Sequence, residues 1–157
     1  MTRTTTAFAA ALALFLPIGR PLLVGLTPAV GIGAALLSTK AAYAQSASDL
    51  LNSGVDKAQS GNLQGAIADW TKAIEINPMF AKAYFNRGVA KKNLKDYQAS
   101  IADYTKAIEI DSEYYHAYTN RGIVLEIEGD LKGACKDWKK AAALGDTLPI
   151  KWIRNQC

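Results

Sequence analysis

The stretch ADWTKAIEI at residues 68–76 returns 34 residues later as ADYTKAIEI at residues 102–110. A second motif, NRG, stands at residues 86–88 and again at 120–122, and the related NSG stands at 52–54. These copies are also 34 residues apart. Self-similarity at a fixed period of this size is typical of stacked repeat architectures. The sequence therefore predicts three units, at residues 47–80, 81–114 and 115–148.

Each unit is predicted to contain two antiparallel helices. In the second unit, residues 81–93 and 97–110 have helical patterns, and Asp96 precedes the second helix as a candidate N-cap. Asn62 and Asp130 have the same place in the other two units. Pro78 ends the first unit, because proline cannot continue a helix, and Gly145 ends the third. No strand pattern is present, so we expect an all-α fold.

Small and aromatic residues recur at fixed positions of the predicted helix pairs. A glycine in the middle of each first helix costs about 1 kcal/mol of helix propensity, so we expect a close approach of the second helix there. A small residue, an aromatic residue and an alanine follow along each second helix, on one face. These positions are Gly54, Gly88 and Gly122; Ala66, Ser100 and Ala134; Trp70, Tyr104 and Trp138; and Ala73, Ala107 and Ala141.

In these residues the chain resembles the tetratricopeptide-repeat family. The resemblance covers residues 45–146 and implies an α-solenoid of three antiparallel helix pairs. It also implies that residues 147–157 form a capping helix, in which Ile150 and Trp152 cover the open edge of the third unit. The chain departs from the family pattern at Ser53, Arg87 and Arg121, where the family prefers leucine.

Residues 1–44 have the pattern of an export leader. They contain three basic residues, no acid, and two apolar runs followed by Ala42-Tyr43-Ala44. This order is typical of a secretory signal peptide cleaved before Gln45, although the segment is longer than the usual signal of about 30 residues. The alternative is an uncleaved anchor, in which case this segment alone would associate with a membrane. We therefore expect an exported protein of a periplasm or a thylakoid lumen, or one anchored to face such a compartment.

The charge distribution argues against nucleic acid as the partner. The chain has 18 Lys and Arg against 14 Asp and Glu, and three of the basic residues lie in the leader. The remaining 15 basic residues alternate with the acids, whereas nucleic-acid binding usually needs concentrated positive charge. The net charge of +4 therefore indicates no nucleic-acid function.

The sequence contains no constellation that indicates an enzyme or a cofactor. His116 is the single histidine, and it has no recurrent acid beside it. Two cysteines and one histidine are too few for a typical four-ligand zinc site, and no glycine-rich phosphate loop follows a strand. We expect neither catalysis nor a bound cofactor or metal.

The two cysteines predict a disulfide. Both lie beyond the leader of an apparently exported chain, where disulfides persist. Cys135 takes the place of Ile67 and Ile101, an apolar position that faces the next element, and the capping segment carries Cys157. The alternative is that Cys135 is a small core residue and Cys157 a free terminal thiol.

The first helix of each unit offers a candidate partner-binding face. Asn52, Asn86 and Asn120 recur there although asparagine is a poor helix former, and their amides could pair with an extended backbone. The alternative is that they are inherited or structural. The face predicted to bind a protein or peptide partner consists of Asn52, Lys82, Phe85, Asn86, Val89, Asn93, Thr119, Asn120 and Ile123.

The resemblance implies a non-catalytic interaction module that binds its partner in a concave groove. Some family members bind the acidic C-termini of chaperones through lysines, an arginine and asparagines, but only Asn86 of that set is present here. Leu51, Val55, His116 and Asn120 occupy the other positions. Two alternatives remain open: a self-associating structural protein that forms homo-oligomers, and an accessory subunit that assists assembly of a membrane or lumenal complex.

Overall fold

A computed structural model describes the backbone of residues 32–157 and the side chains from residue 46 onward. The first 31 residues, which hold most of the predicted leader, lie outside the described residues. The described part is all-α. Its seven helices are α1 (Ile32–Gln59), α2 (Leu63–Ile76), α3 (Ala81–Asn93), α4 (Tyr97–Ile110), α5 (Tyr115–Ile127), α6 (Leu131–Ala143) and α7 (Ile150–Gln156).

The helices form three antiparallel pairs, α1–α2, α3–α4 and α5–α6, and α7 follows the last pair. Each pair also packs on the next, through α2 against α3 and α4 against α5, while α1 contacts α3 and α3 contacts α5. The fold is therefore a tetratricopeptide-type solenoid with a C-terminal helix. Helix α1 begins within the predicted leader and continues through residue 44. Ala47 of this helix is fully buried. No helix in the described part of the chain is long and apolar enough to cross a membrane.

The recurrent glycines give room to the recurrent aromatic rings. A methyl group on Gly54 would lie 2.4 Å from Nε1 of Trp70, and one on Gly122 would lie 2.5 Å from Nε1 of Trp138. The aromatic rings therefore lie nearest to the point where a side chain on these glycines would begin. In the second unit, the hydroxyl of Ser100 also donates a hydrogen bond to the carbonyl oxygen of Gly88, at 2.9 Å.

The N-cap prediction is correct for two of the three second helices. Asn62 accepts a hydrogen bond from the backbone N–H of Gly65, and Asp130 accepts one from Gly133, each at 2.9 Å. Asp96 makes no such bond. A methyl group on Gly65 or Gly133 would lie within 2.5 Å of the capping side chain. The second unit, in which the capping bond is missing, has Ala99 at the position of these glycines.

The turn before each second helix requires a left-handed residue. Gly61 and Gly129 have φ values of +84° and +89° there, but the second unit places Lys95 in this conformation, with φ of 63°. A left-handed conformation costs a non-glycine residue about 1–2 kcal/mol. The second unit therefore contains a locally strained turn between α3 and α4.

Cys135 and Cys157 form a disulfide that joins α6 to α7. Trp152 of α7 packs on Trp138 with the ring centroids 5.3 Å apart, as expected for a cap. The expectation for Ile150 was wrong, because this side chain is exposed, and Pro149 is fully buried instead. Pro149 stands immediately before α7, as its N-cap residue.

Candidate functional site

A pocket of about 330 Å³ opens between α1 and α3, and we call it the groove pocket. Its lining consists of Val55, Ala58, Gln59, Trp70, Phe85, Asn86 and Val89. Most of these side chains are apolar, and the two amides are the only polar ones. An apolar cavity with a few polar groups is the usual form of a ligand site, and its size is at the lower end of the usual range of about 300–1,000 Å³. It can hold one or two side chains of a bound segment.

The walls of the groove pocket are held by aromatic packing and a hydrogen bond. Trp70 is almost fully buried, and its indole Nε1 donates a hydrogen bond to the carbonyl oxygen of Leu51, at 3.1 Å. The Phe85 ring packs against Tyr104 and Tyr114, with centroid distances of 5.8 and 5.0 Å. Burial raises the pKa of Tyr114 to about 12, so its hydroxyl stays neutral at physiological pH. The pocket is therefore preformed between two packed aromatic groups.

The structure separates the three asparagines that the sequence treats as equivalent. Asn86 lines the groove pocket, whereas Asn52 lies exposed on α1 outside it. Asn120 has partners within the chain: its Oδ1 accepts a hydrogen bond from Lys92 at 3.0 Å, and its Nδ2 donates one to the carbonyl oxygen of His116 at 2.9 Å. Of the three, Asn86 is therefore the amide placed to meet a ligand in the pocket.

The other predicted groove residues are also divided. Phe85 and Val89 line the groove pocket, while Lys82 and Asn93 are exposed and Ile123 is half-buried outside it. The placement of Thr119 on a binding face was wrong. Its side chain is buried, and its hydroxyl donates a hydrogen bond to the buried carboxylate of Asp146, which follows α6.

The structure also contains a repeated polar network that was not predicted from the sequence. Arg87 donates two hydrogen bonds to the buried Asp103, at 2.9 and 2.7 Å, and Arg121 binds Asp137 in the same way. The bonds to Asp137, above all, raise the pKa of Arg121. In the first unit, Ser53 and Lys57 each lie 2.6 Å from Asp69 instead. The signal was present in the sequence as an aspartate in every second helix, 16 residues after position 53, 87 or 121.

A second cavity, of about 580 Å³, lies beside the disulfide. It is larger than the groove pocket, but three of its seven lining residues are lysines of α6, and the others are Leu131, Gln156 and the two cysteines. The groove pocket is the better candidate because it is apolar and lies between two units. Among the described residues, no group of three or more His, Cys, Asp and Glu is arranged to hold a metal ion.

Comparison with known proteins places this geometry in context. The family model described as "Tetratricopeptide repeat" matches residues 81–114, and one described as "TPR repeat" matches residues 56–95. None of the curated proteins compared with the chain matches it.

Solved structures of tetratricopeptide-repeat domains superpose well on the chain. The Arabidopsis OM64 domain has a TM-score of 0.69 at 26% identity, covering 73% of this chain and 99% of that one. The first such domain of Spaghetti (RPAP3), bound to the HSP90 peptide SRMEEVD, has a TM-score of 0.68 at 25% identity, covering 71% and 90%. The second domain of Spaghetti, bound to the same peptide, has a TM-score of 0.66 at 25% identity, covering 68% and 98%.

Proposed function

This chain is a tetratricopeptide-repeat protein, and from that premise we propose that it binds a short segment of another protein in the groove pocket between α1 and α3. Tetratricopeptide repeats are non-catalytic protein-interaction scaffolds, and two similar domains are peptide-bound. The single observation that carries the proposal for this chain is the preformed apolar pocket with Asn86 at its wall. A bound apolar side chain would fill the pocket, and the Asn86 amide would pair with the backbone of the segment.

We also propose that the role is non-catalytic and that the protein acts in an extracytoplasmic compartment. The leader pattern supports export with cleavage before Gln45, and the disulfide supports an oxidising compartment such as a periplasm or a thylakoid lumen. N-terminal sequencing of the protein from its source tests the first point. A terminus at Gln45 is expected, and an intact Met1 or Thr2 terminus would indicate an anchored protein instead.

The chain offers a matched pair of variants to test the groove pocket. Ala58→Lys places a long side chain in the pocket, whereas Ala102→Lys places the same residue on the exposed side of α4. Random peptides displayed on phage would be selected against the purified chain and then tested against both variants. Enriched peptides should lose binding to Ala58→Lys and keep it on Ala102→Lys.

Two outcomes would overturn the proposal: no enrichment on the purified chain, or enriched peptides that bind Ala58→Lys as well as the parent. Asn86→Ala should weaken binding of the selected peptides, whereas Asn52→Ala is the matched control, because Asn52 is exposed on α1 outside the pocket. Equal helix content and melting temperature of the variants would establish that any loss is local to the pocket.

A further inference from the structure

The junction between α3 and α5 has the same residue positions as the groove pocket, but it is filled. Moving the lining of the pocket 34 residues along the chain replaces Ala58 with Lys92 and Asn86 with Asn120. The half-buried Lys92 side chain lies between the two helices, and its Nζ donates to Oδ1 of Asn120. Lys92 therefore occupies the space that Ala58 leaves free at the preceding junction.

Lys92 differs from the half-buried Lys57 and Lys91, which both have a carboxylate partner. Lys57 lies 2.6 Å from Asp69, and Lys91 lies 2.8 Å from Asp103. For Lys92, no carboxylate of the described residues lies within salt-bridge distance, and the neutral Asn120 amide is its hydrogen-bond partner. Burial lowers the pKa of Lys92, as expected for an ammonium group that has lost water without gaining an opposite charge. A carboxylate placed beside it would supply that charge.

The position of Lys92 connects it to the groove pocket. Val89 lines the pocket, and Lys92 follows three residues later on the same helix. Residues three apart on a helix have Cβ atoms about 5–6 Å apart. An extended segment advances about 3.3 Å per residue. A segment with one side chain in the pocket can therefore present another side chain to Lys92 within one to three residues.

Building on the proposed function, we propose that Lys92 makes the groove selective for segments that combine an apolar side chain in the pocket with an aspartate or glutamate side chain one to three residues away. The acidic side chain replaces the Asn120 amide as the partner of the Lys92 ammonium group and forms an ion pair with it. The lining of the pocket contains no charged residue, so Lys92 supplies this selectivity from beside it.

Synthetic peptides test this selectivity directly. Acetylated and amidated hexapeptides would carry one leucine and one aspartate, one to three residues apart in either order, each matched by a peptide with asparagine in place of aspartate. Binding to the full chain would be followed by nuclear magnetic resonance, from the Val89 methyl and Asn120 side-chain amide signals. We expect the best aspartate peptide to bind about fivefold more tightly than its asparagine partner, as for a partly exposed ion pair.

The variants separate this inference from the proposed function. Lys92→Met should remove the preference for aspartate and leave the asparagine peptide nearly unchanged, whereas Lys140→Met, on the exposed side of α6, should preserve the preference. Equal binding of both peptides to the parent chain, or a preference that survives Lys92→Met, overturns the role of Lys92. A preference that appears only in versions of these peptides made with a free C-terminal carboxylate also overturns it. If no peptide shifts the Val89 methyl signals, the groove pocket itself is refuted.

Discussion

The disulfide between Cys135 and Cys157 gives the sharpest quantitative prediction. The two cysteines are separated by 22 positions in the sequence. In the chain-entropy description, a loop of this length stabilises a protein by about 3 kcal/mol. The described solenoid of about 110 residues should unfold with an entropy of roughly 0.23 kcal/mol/K. Replacing both cysteines by alanine should therefore lower the melting temperature by about 13 °C.

Circular dichroism melts of the oxidised chain and the double-alanine variant measure this difference. The reduced parent chain is the matched control, since it keeps both side chains and loses only the cross-link. Reductant should lower the melting temperature of the parent to near that of the variant and should not change the variant itself. A shift below about 3 °C in both cases would refute the loop-entropy estimate and indicate that α7 separates from α6 before the solenoid melts.

Three further predictions concern stability. Gly122→Ala should destabilise the chain by about 1–2 kcal/mol, as measured by urea unfolding. The added methyl group would lie 2.5 Å from Nε1 of Trp138, and the cost of this overpacking exceeds the gain in helix propensity. Unchanged stability would contradict this packing. The bonds from Lys57 and Ser53 lower the pKa of Asp69 below 3.8, so its carboxylate stabilises the fold above that value and loses this effect as the pH falls through the lowered pKa. Asp69→Asn should therefore be less stable than the parent at neutral pH and should lose less stability between about pH 4 and pH 2, as measured by thermal melts; parallel acid profiles would refute this. Lys95→Gly should stabilise the chain by up to about 1 kcal/mol because it relieves a left-handed residue, and a loss of stability would show that this turn is not strained.

The fold could be predicted from the sequence because the repeat is local. The 34-residue period, the recurrent glycines and the recurrent aromatic residues all describe contacts within a helix pair or between neighbouring pairs. The errors fall where the units differ. By residue type Asp96 is as good an N-cap as Asn62 or Asp130, so its missing hydrogen bond could not be predicted from the sequence. Ile150 could not be distinguished from Pro149 without the path of the chain after α6.

The candidate site was harder to predict because periodicity treats equivalent positions as equal. Asn86 and Asn120 occupy the same helical position, but Lys92 reaches across the second junction, where Ala58 leaves the first one open. Thr119 is buried, and its hydroxyl donates a hydrogen bond to Asp146, which is 27 residues away in sequence. That the groove residues bind a partner stays a prediction. The available sequence signal was the difference between Ala58 and Lys92, which occupy the same repeat position.

The arginine network has a consequence for the width of the groove pocket. The guanidinium of Arg87 is fixed by Asp103 in its own unit, and its Nη1 donates to Thr71 of the preceding unit at 3.0 Å. Arg121 repeats this arrangement toward Thr105, at 2.9 Å. These polar atoms thus lie at the contact between the first two units, where the groove pocket is also found, but they do not line the pocket. Substitutions at Thr71 or Asp103 should therefore change the width of the groove pocket without changing any residue that lines it.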